Sequence, residues 1–428
     1  MARRWFRLDT AALIFPAIAR RDWCNVFRVS ATLREPVDTA LLQRAVDDTK
    51  ARFPTFFVRL RKGFFWYYLE ESREPLRVRQ DYAYPLTYMS SRELKRNCMR
   101  VLVYENRIAV ECFHALTDGR GGITYLTNLV ARYLALKDGL SLPAGDPIRD
   151  LREKPPAEEL EDSFLKNAAE VAMSRREEAS WRLRGTREPR GYRHLITGIA
   201  EAEVLRNRAR EMGVSVTSLL AGTLALSILE MQAEARPNRK RRRPVKITIP
   251  VDLRRLYGSR TLRNFSLVLN LGVDPRYGDY TLEELCRSME HQLRAGATPQ
   301  NMAGMIAANV QPQQVLALRL APVWIKNAVM DLVYRRSGEM GGINLSNLGL
   351  LKLPAELDAR LERAEFVIGP QRTYPNNCSV ISQGGRTYIN MIRNIRESEL
   401  ERRFFSHLVE AGIPIAIESN RRMDECTA

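Results

Sequence analysis

Apolar and polar positions alternate over Val26 to Leu33, and that period of two predicts a strand. Pro36 then opens a helical pattern that sets Val37, Leu41, Leu42, Ala45 and Val46 on one face and ends near Lys50. The aromatic-rich run Phe64 to Glu70 predicts a further strand. So do Val101 to Tyr104 and Arg107 to Phe113, which meet at a turn on Asn106. From Ile123 to Lys137, the residues Ile123, Leu126, Leu129, Val130, Tyr133 and Leu134 recur at helical spacing. This first part of the chain therefore predicts an α/β unit on a mixed or antiparallel sheet.

The pattern breaks after Gly139, where Pro143, Pro147, Pro155, Pro156 and Pro189 interleave with clusters of both charge signs. Residues 151–190 are expected to form a linker region, with a helix over Glu158 to Trp181 inside it. Tyr192 to Ile199 restarts strand-like alternation, and Glu201 to Glu211 predicts a charged helix. Val216 to Glu230 is apolar on nearly all sides, which predicts a buried helix capped by Ser215 or Thr217. Strands are predicted at Val245 to Pro250, from Asn264 and Phe265 through Leu271, and over Gly342 to Gly349. Two or three helices fill Leu282 to Arg335. Further strands are expected at Phe366 and Val367, Cys378 to Ser382 and Thr387 to Ile392. Gln383-Gly384-Gly385 joins the last two as a hairpin, and Glu397 to Ala411 closes the chain as a helix. With 428 residues the chain exceeds one ordinary core, so two domains, 1–150 and 191–428, are expected on either side of the linker.

Composition changes this picture in three ways. Hydrophobic content of 45% is enough for two cores and excludes a disordered chain. The six cysteines, at 24, 98, 112, 286, 378 and 426, form no close pair, which argues against a disulfide framework or a zinc ribbon and favours a reducing, cytoplasmic setting. The four histidines, at 114, 194, 291 and 407, include no i, i+4 pair, so no metal is expected.

The net charge of +17 calls for an anionic partner: nucleic acid, a small anion, an acidic carrier protein or a membrane surface. The basic residues are spread along the chain without a zinc finger or RNA-binding signature, so nucleic acid is not expected. Arg236 to Arg243 supplies six of them and reads either as a solvated loop or as a phosphate site. At the N-terminus, Arg3, Arg4 and Arg7 followed by Ala11 to Ala19 imitate a signal peptide. Asp9 and Pro16 interrupt it, and Trp23 to Thr32 runs into a strand pattern, so the segment is read as the start of the fold. No segment has the ~18 uninterrupted apolar residues of a membrane span.

The chemistry concentrates in Glu111-Cys112-Phe113-His114-Ala115-Leu116-Thr117-Asp118-Gly119-Arg120-Gly121-Gly122, between a predicted strand and a predicted helix. Such a turn aims a side chain from the end of a sheet. A neutral imidazole accepts a proton, which makes His114 a candidate general base. Asp118 lies where it can tie the loop to a cation, and glycine leaves room for substrate to approach.

His114 to Gly119 also matches the HxxxDG motif of the chloramphenicol-acetyltransferase-like and condensation-domain superfamily. Arg52-Phe53-Pro54 resembles the segment after the first helix in that superfamily. Pro250 to Arg254 with Asn264-Phe265 resembles its second-domain strand segment, and Asn344 to Gly349 its serine-bearing strand. The resemblance runs from Arg52 to Gly349 and is nearest to the alcohol O-acetyltransferase branch. It implies two similar α/β domains with mixed sheets flanked by helices and an active-site tunnel at their interface. An acyl group would pass from acyl-CoA, or from an acyl-carrier thioester, to an alcohol or amine. In this view His114 is the base, and Asp118 with Gly119 fixes the loop through a salt bridge to Arg52 or, second, Arg254. Ser346, Asn347 and Asn264 contact substrate, or else Ser346 and Asn347 merely finish a strand. Arg239 to Arg243 contacts CoA phosphates or an acidic carrier protein. No GxSxG elbow is present, which favours direct transfer over an acyl-enzyme. Phe113 stands where many members carry a first histidine, and the DFGWG motif of the plant acyltransferases is absent. A free-standing condensation enzyme and a catalytically silent binding protein of this fold are the alternatives.

Overall fold

The computed structural model describes residues 4–19, 25–173, 177–189, 191–371 and 374–420, so Trp23, Cys24 and Cys426 lie outside the described residues. The first part of the chain supplies strands β1 (Trp5–Arg7), β2 (Val26–Leu33), β3 (Val58–Lys62), β4 (Tyr67–Glu71), β5 (Val78–Gln80), β6 (Met99–Tyr104) and β7 (Arg107–Phe113). The second part supplies β8 (His194–Glu201), β9 (Val245–Asp252), β10 (Ser266–Val273), β11 (Ile343–Leu350), β12 (Leu361–Ile368), β13 (Asn376–Gln383), β14 (Arg386–Arg393) and β15 (Ala416–Ser419). Two large mixed sheets result, ordered β12-β2-β7-β6-β5 and β10-β9-β11-β13-β14-β8-β15, with a small antiparallel sheet β1-β4-β3 beside the first. This is the expected α/β class with two sheet-rich regions flanked by helices.

The first sheet is closed by a strand from far along the chain. β12 pairs antiparallel with β2, Phe366 opposite Val29, and carries Phe366 and Val367 into the first core. β2 is buried along its whole length because it lies between β12 and β7. Its one charged residue, Arg28, is compensated by Asp81 at 2.7 Å and Glu111 at 2.8 Å, as a buried charge must be.

The helix Val216–Ala235 is apolar all round and fills the second core with Leu219, Leu220, Leu224 and Ile228. It is long and apolar enough to cross a membrane by composition alone, yet most of it is buried here. Ser215 caps its start, accepting from the Ser218 N–H, and Thr217 does not.

Two expected elements are shorter than the sequence pattern suggests. The strand over Phe64 to Glu70 begins only at Tyr67. Gly63 donates to the Trp66 carbonyl at 2.8 Å, so the residues between them form the tip of a hairpin. The helix over Glu158 to Trp181 is confined to Ala157–Leu160. There Asp162 turns the chain, accepting from the Phe164 N–H at 3.1 Å and the Thr10 N–H at 2.9 Å.

Candidate active site

Strand β7 ends at Phe113, and a tight turn follows before the helix Gly119–Asp138. His114 stands on that turn, partly buried, with its backbone N–H donating to the Asn25 carbonyl at 2.8 Å. Asn25 adopts a left-handed φ of 49°, which an asparagine tolerates better than most residues, and its side chain donates to the Phe15 carbonyl at 3.2 Å. Phe15 in turn stacks on the imidazole, with centroids 4.4 Å apart, while Phe27 meets it edge-on at 5.4 Å.

The tautomer of this imidazole follows from its neighbours. Asn264 approaches with one amide end on His114 Nδ1 at 3.0 Å. The other end faces the His114 carbonyl at 3.0 Å and Asp9 Oδ2 at 3.1 Å, both of which only accept in their ionised or carbonyl form. The nitrogen of Asn264 must therefore lie on that side, and Oδ1 must face the ring. Nδ1 then carries the proton and donates it to Asn264, leaving the Nε2 lone pair free. Among the described residues Nε2 has no hydrogen-bond partner. Burial disfavours the imidazolium and lowers the His114 pKa below its ordinary value, against opposing contributions from nearby acceptors and the Asp118 charge. At neutral pH the ring is uncharged.

Asp118 performs two structural tasks at once. It caps the helix Gly119–Asp138, accepting from the Gly121 N–H at 3.1 Å. It also receives the Arg254 fork, Nη1 to Oδ2 at 2.9 Å and Nη2 to Oδ1 at 3.0 Å, and the Phe265 N–H at 2.9 Å. Burial alone would raise this carboxyl. The Arg254 guanidinium and these donors outweigh that and hold it below the usual carboxylate range. Thr117 adds a hydroxyl donation to the Leu262 carbonyl at 2.6 Å. The loop 114–121 is thus fastened from both side chain and main chain to the segment 252–265.

The glycines serve this docking. A Cβ at Gly121 would overlap the Leu262 carbonyl oxygen and Thr117 Oγ1, and one at Gly122 would press on the Phe27 ring. Their smallness admits the neighbouring chain, where the sequence suggested room for substrate. Gly119 faces Leu348 and Phe366, each 3.0 Å from where a Cβ would sit.

No family model matches the sequence, and no curated protein does either. Solved structures do match, over nearly their whole length. The trichothecene 15-O-acetyltransferase TRI3 from Fusarium sporotrichioides superposes with a TM-score of 0.61 at 12% identity, covering 96% of this chain and 94% of that chain. F. graminearum TRI101, solved with coenzyme A and T-2 mycotoxin, gives 0.63 at 9% identity over 96% and 99%. The epimerization domain from the third module of tyrocidine synthetase B gives 0.58 at 12% identity over 96% and 98%. The chain has the chloramphenicol-acetyltransferase-like fold.

Within this fold the sequence-predicted residues divide. His114, Asp118, Gly119, Asn264 and Arg254 are brought together. Arg52 is not: its guanidinium pairs with Glu159 at 2.5 and 3.0 Å, so it is not the partner of Asp118. Glu159 lies in the expected linker region, and it draws Arg52 there because both side chains are buried and need each other. Asn264, read from the sequence as a substrate contact, has its amide committed to His114 and Asp9. Asn347 is also occupied, donating to Thr217 Oγ1 at 3.1 Å and accepting from the Gly349 N–H at 2.8 Å. Ser346 lies on the same strand, two residues before Leu348, whose carbonyl takes a hydrogen bond from Arg120 at 3.2 Å.

Arg239 to Arg243 forms an exposed loop at the opposite end of β9 from Arg254, roughly 25 Å along the strand. Arg239 there pairs with Asp279 at 2.6 Å. Asp9, Phe15 and Asn25 were not singled out by the sequence. Only Asp9, the polar residue interrupting an apolar N-terminal run, carried a signal that could have found it. Among the described residues no group of three His, Cys, Asp or Glu side chains could hold a metal ion.

Proposed function

We propose that this chain is an acyltransferase that moves an acyl group from acyl-CoA to an alcohol or amine, with His114 Nε2 as the general base. One observation carries the reading: the Asn264 amide pins the His114 Nδ1 proton and leaves Nε2 unpaired on a partly exposed, neutral ring. The fold it shares with TRI3, named as a trichothecene 15-O-acetyltransferase, and with TRI101, solved with coenzyme A, supports the substrate class.

In this scheme Nε2 takes the proton of an acceptor O–H or N–H as its oxygen or nitrogen attacks the thioester carbonyl. A tetrahedral oxyanion forms, and it collapses with cleavage of the C–S bond. The imidazolium then returns the proton to the departing thiolate, so charge and protons balance without a covalent enzyme intermediate. Ser346 is the candidate donor to the oxyanion, because the Asn347 amide is engaged by Thr217. Asp118, Gly119 and Arg254 hold the loop and do not touch the reacting atoms. A tunnel between the two sheet-rich halves would bring donor and acceptor to the ring and raise their effective molarity.

The test is acyl transfer from a series of acyl-CoAs to simple alcohols and amines, followed by thiol release. His114→Ala is expected to lower turnover at least ~100-fold while the melting temperature stays within a few degrees of wild type. Undiminished turnover by His114→Ala would remove this mechanism.

A further inference from the structure

An apolar face of the second half of the chain points to solvent. From Val315 to Ile325 the sequence reads Val-Leu-Ala-Leu-Arg-Leu-Ala-Pro-Val-Trp-Ile, and Leu316, Leu320 and Trp324 are 66%, 59% and 66% exposed. The helix Val323–Met340 continues the face with Val329, Leu332 and Val333, each about half exposed. A core helix of a globular protein turns such residues inward.

The tip of the β3–β4 hairpin is bound to the same face. Val323 donates its N–H to the Phe64 carbonyl at 2.8 Å. Lys326 Nζ donates to the Phe65 carbonyl at 2.9 Å and the Arg319 carbonyl at 3.0 Å, and lies 3.3 Å from the centre of the Trp66 ring. Phe64, 68% exposed, and Trp324 thus present two large aromatic side chains from one rigid joint.

The charges around this face are mainly positive. Lys62 precedes the hairpin tip, Arg319 interrupts the apolar run, and Arg336 is exposed on the helix. Among the described residues none of these three has an acidic partner. The neighbouring acids are taken, Asp331 by Arg335 at 2.6 Å and Glu339 by Arg182 at 3.1 Å. Cations set among exposed aromatics are what a lipid headgroup region accommodates, and basic side chains without acidic partners are drawn to anionic headgroups. The chain's overall charge of +17 points the same way.

We propose that this face docks on an anionic lipid surface, with Trp324, Leu332 and Phe64 entering the boundary between headgroups and acyl chains. The helix lies in the plane of that surface, since Pro322, Lys326, Asp331 and Arg335 rule out a span. Docking does not depend on the acyl-transfer chemistry, but it has a consequence for it. The short helix Phe15–Ile18 packs on the helix Val323–Met340, and Phe15 stacks on His114. A lipophilic donor or acceptor held in the membrane is therefore met one layer of protein away from the base.

Flotation of the full chain with vesicles of phosphatidylcholine alone, and of phosphatidylcholine mixed with phosphatidylglycerol, tests this. Wild type is expected to float with the mixed vesicles and to release at raised salt. The variant Trp324→Glu/Leu332→Glu should lose at least ~10-fold in partitioning, with its circular dichroism spectrum and melting temperature unchanged. Arg319→Gln/Arg336→Gln should weaken binding to the mixed vesicles alone, by roughly fivefold for each charge removed. Phe64→Ser, on a separate segment, gives an independent reading of the same loss. Failure to float with either vesicle, or equal flotation of wild type and Trp324→Glu/Leu332→Glu, overturns the proposal. So does a wild-type dimer on size exclusion that this variant converts to monomer while wild type ignores vesicles, which would assign the face to a second copy of the chain.

Discussion

Free imidazole shares its proton between two nitrogens, so an unrestrained histidine presents the wrong one part of the time. Asn264 removes that ambiguity in this chain. Asn264→Leu keeps volume but withdraws the acceptor. It is expected to lower acyl transfer about 10- to 100-fold and to shift the His114 ring ¹⁵N resonances toward a tautomer mixture. A turnover loss with unchanged resonances would show that Asn264 acts on something other than the ring.

The pH dependence follows from the same surroundings. Burial holds His114 below its ordinary pKa of 6.5, so the acid limb of kcat/KM should have its midpoint below 6.5. A midpoint above 6.5 would contradict this. The two buried acids act in opposite senses on stability. Asp118 is depressed, so its contribution is complete above the ordinary carboxylate range and is lost as pH falls through its folded value. Burial pushes Asp9 up to about 6, so its folded form holds a proton that the unfolded chain has already released, and that contribution fades as pH rises through about 6. Asp9→Asn should flatten stability between the carboxylate range and pH 6, measured as denaturation midpoints across pH.

His114, Asp118 and Gly119 were legible because their spacing is local. Asn264 lies 150 positions from His114, and Asp9 lies 255 from Asn264, so no window along the chain brings them together.

At the scale of elements, the decisive unit is the loop 114–121 clasped by the segment 252–265. The resemblance offered both Arg52 and, second, Arg254 as the clasp. The choice was made by a carboxylate in the region expected to be linker, because Glu159 takes Arg52 and leaves Asp118 to Arg254. Arg254→Ala strands a buried carboxylate and is expected to destabilise the fold by about 3–5 kcal/mol, read as a drop in denaturant midpoint at constant slope. Arg254→Lys keeps the charge but loses the two-pronged geometry and should fall between. Gly121→Ala drives a methyl group into the Leu262 carbonyl and should destabilise by about 1–3 kcal/mol. The hairpin tip at Phe64 was misread as strand for a related reason. Its aromatic residues satisfy a β pattern, but their partner is the exposed helix Val323–Met340 and no neighbouring strand.

On the scale of the whole molecule, periodicity found most strands of the two large sheets and could not order them. Helices such as Gly119–Asp138 and Val216–Ala235 were readable because their apolar pattern is written locally, whereas the strands Val58–Lys62, Val78–Gln80 and Ala416–Ser419 were not. The pairing of β12 with β2 was not, since nothing in Leu361 to Ile368 names a partner more than 300 residues upstream. We propose the division 1–150, 151–190 and 191–428 as two α/β domains and the region that joins them, with the two domains interdependent because β12 pairs with β2. Residues 1–190 and 191–428 made separately are expected to lack a cooperative thermal transition, because the first loses Phe366 and Val367 from its core and the second leaves β12 without its neighbour. Two sharp, independent transitions by near-ultraviolet circular dichroism would contradict this.

The clasp also restricts how the two sheet-rich halves can move against each other. Swinging the halves apart like the covers of a book would pull Asn264 off the ring and Arg254 off Asp118 in one stroke. A gaping conformation is therefore a disarmed one. If acyl transfer takes place at this ring, as proposed, reactants must reach it with the halves together, and the bulk of their narrowest cross-section, more than their length, then decides which of them can pass.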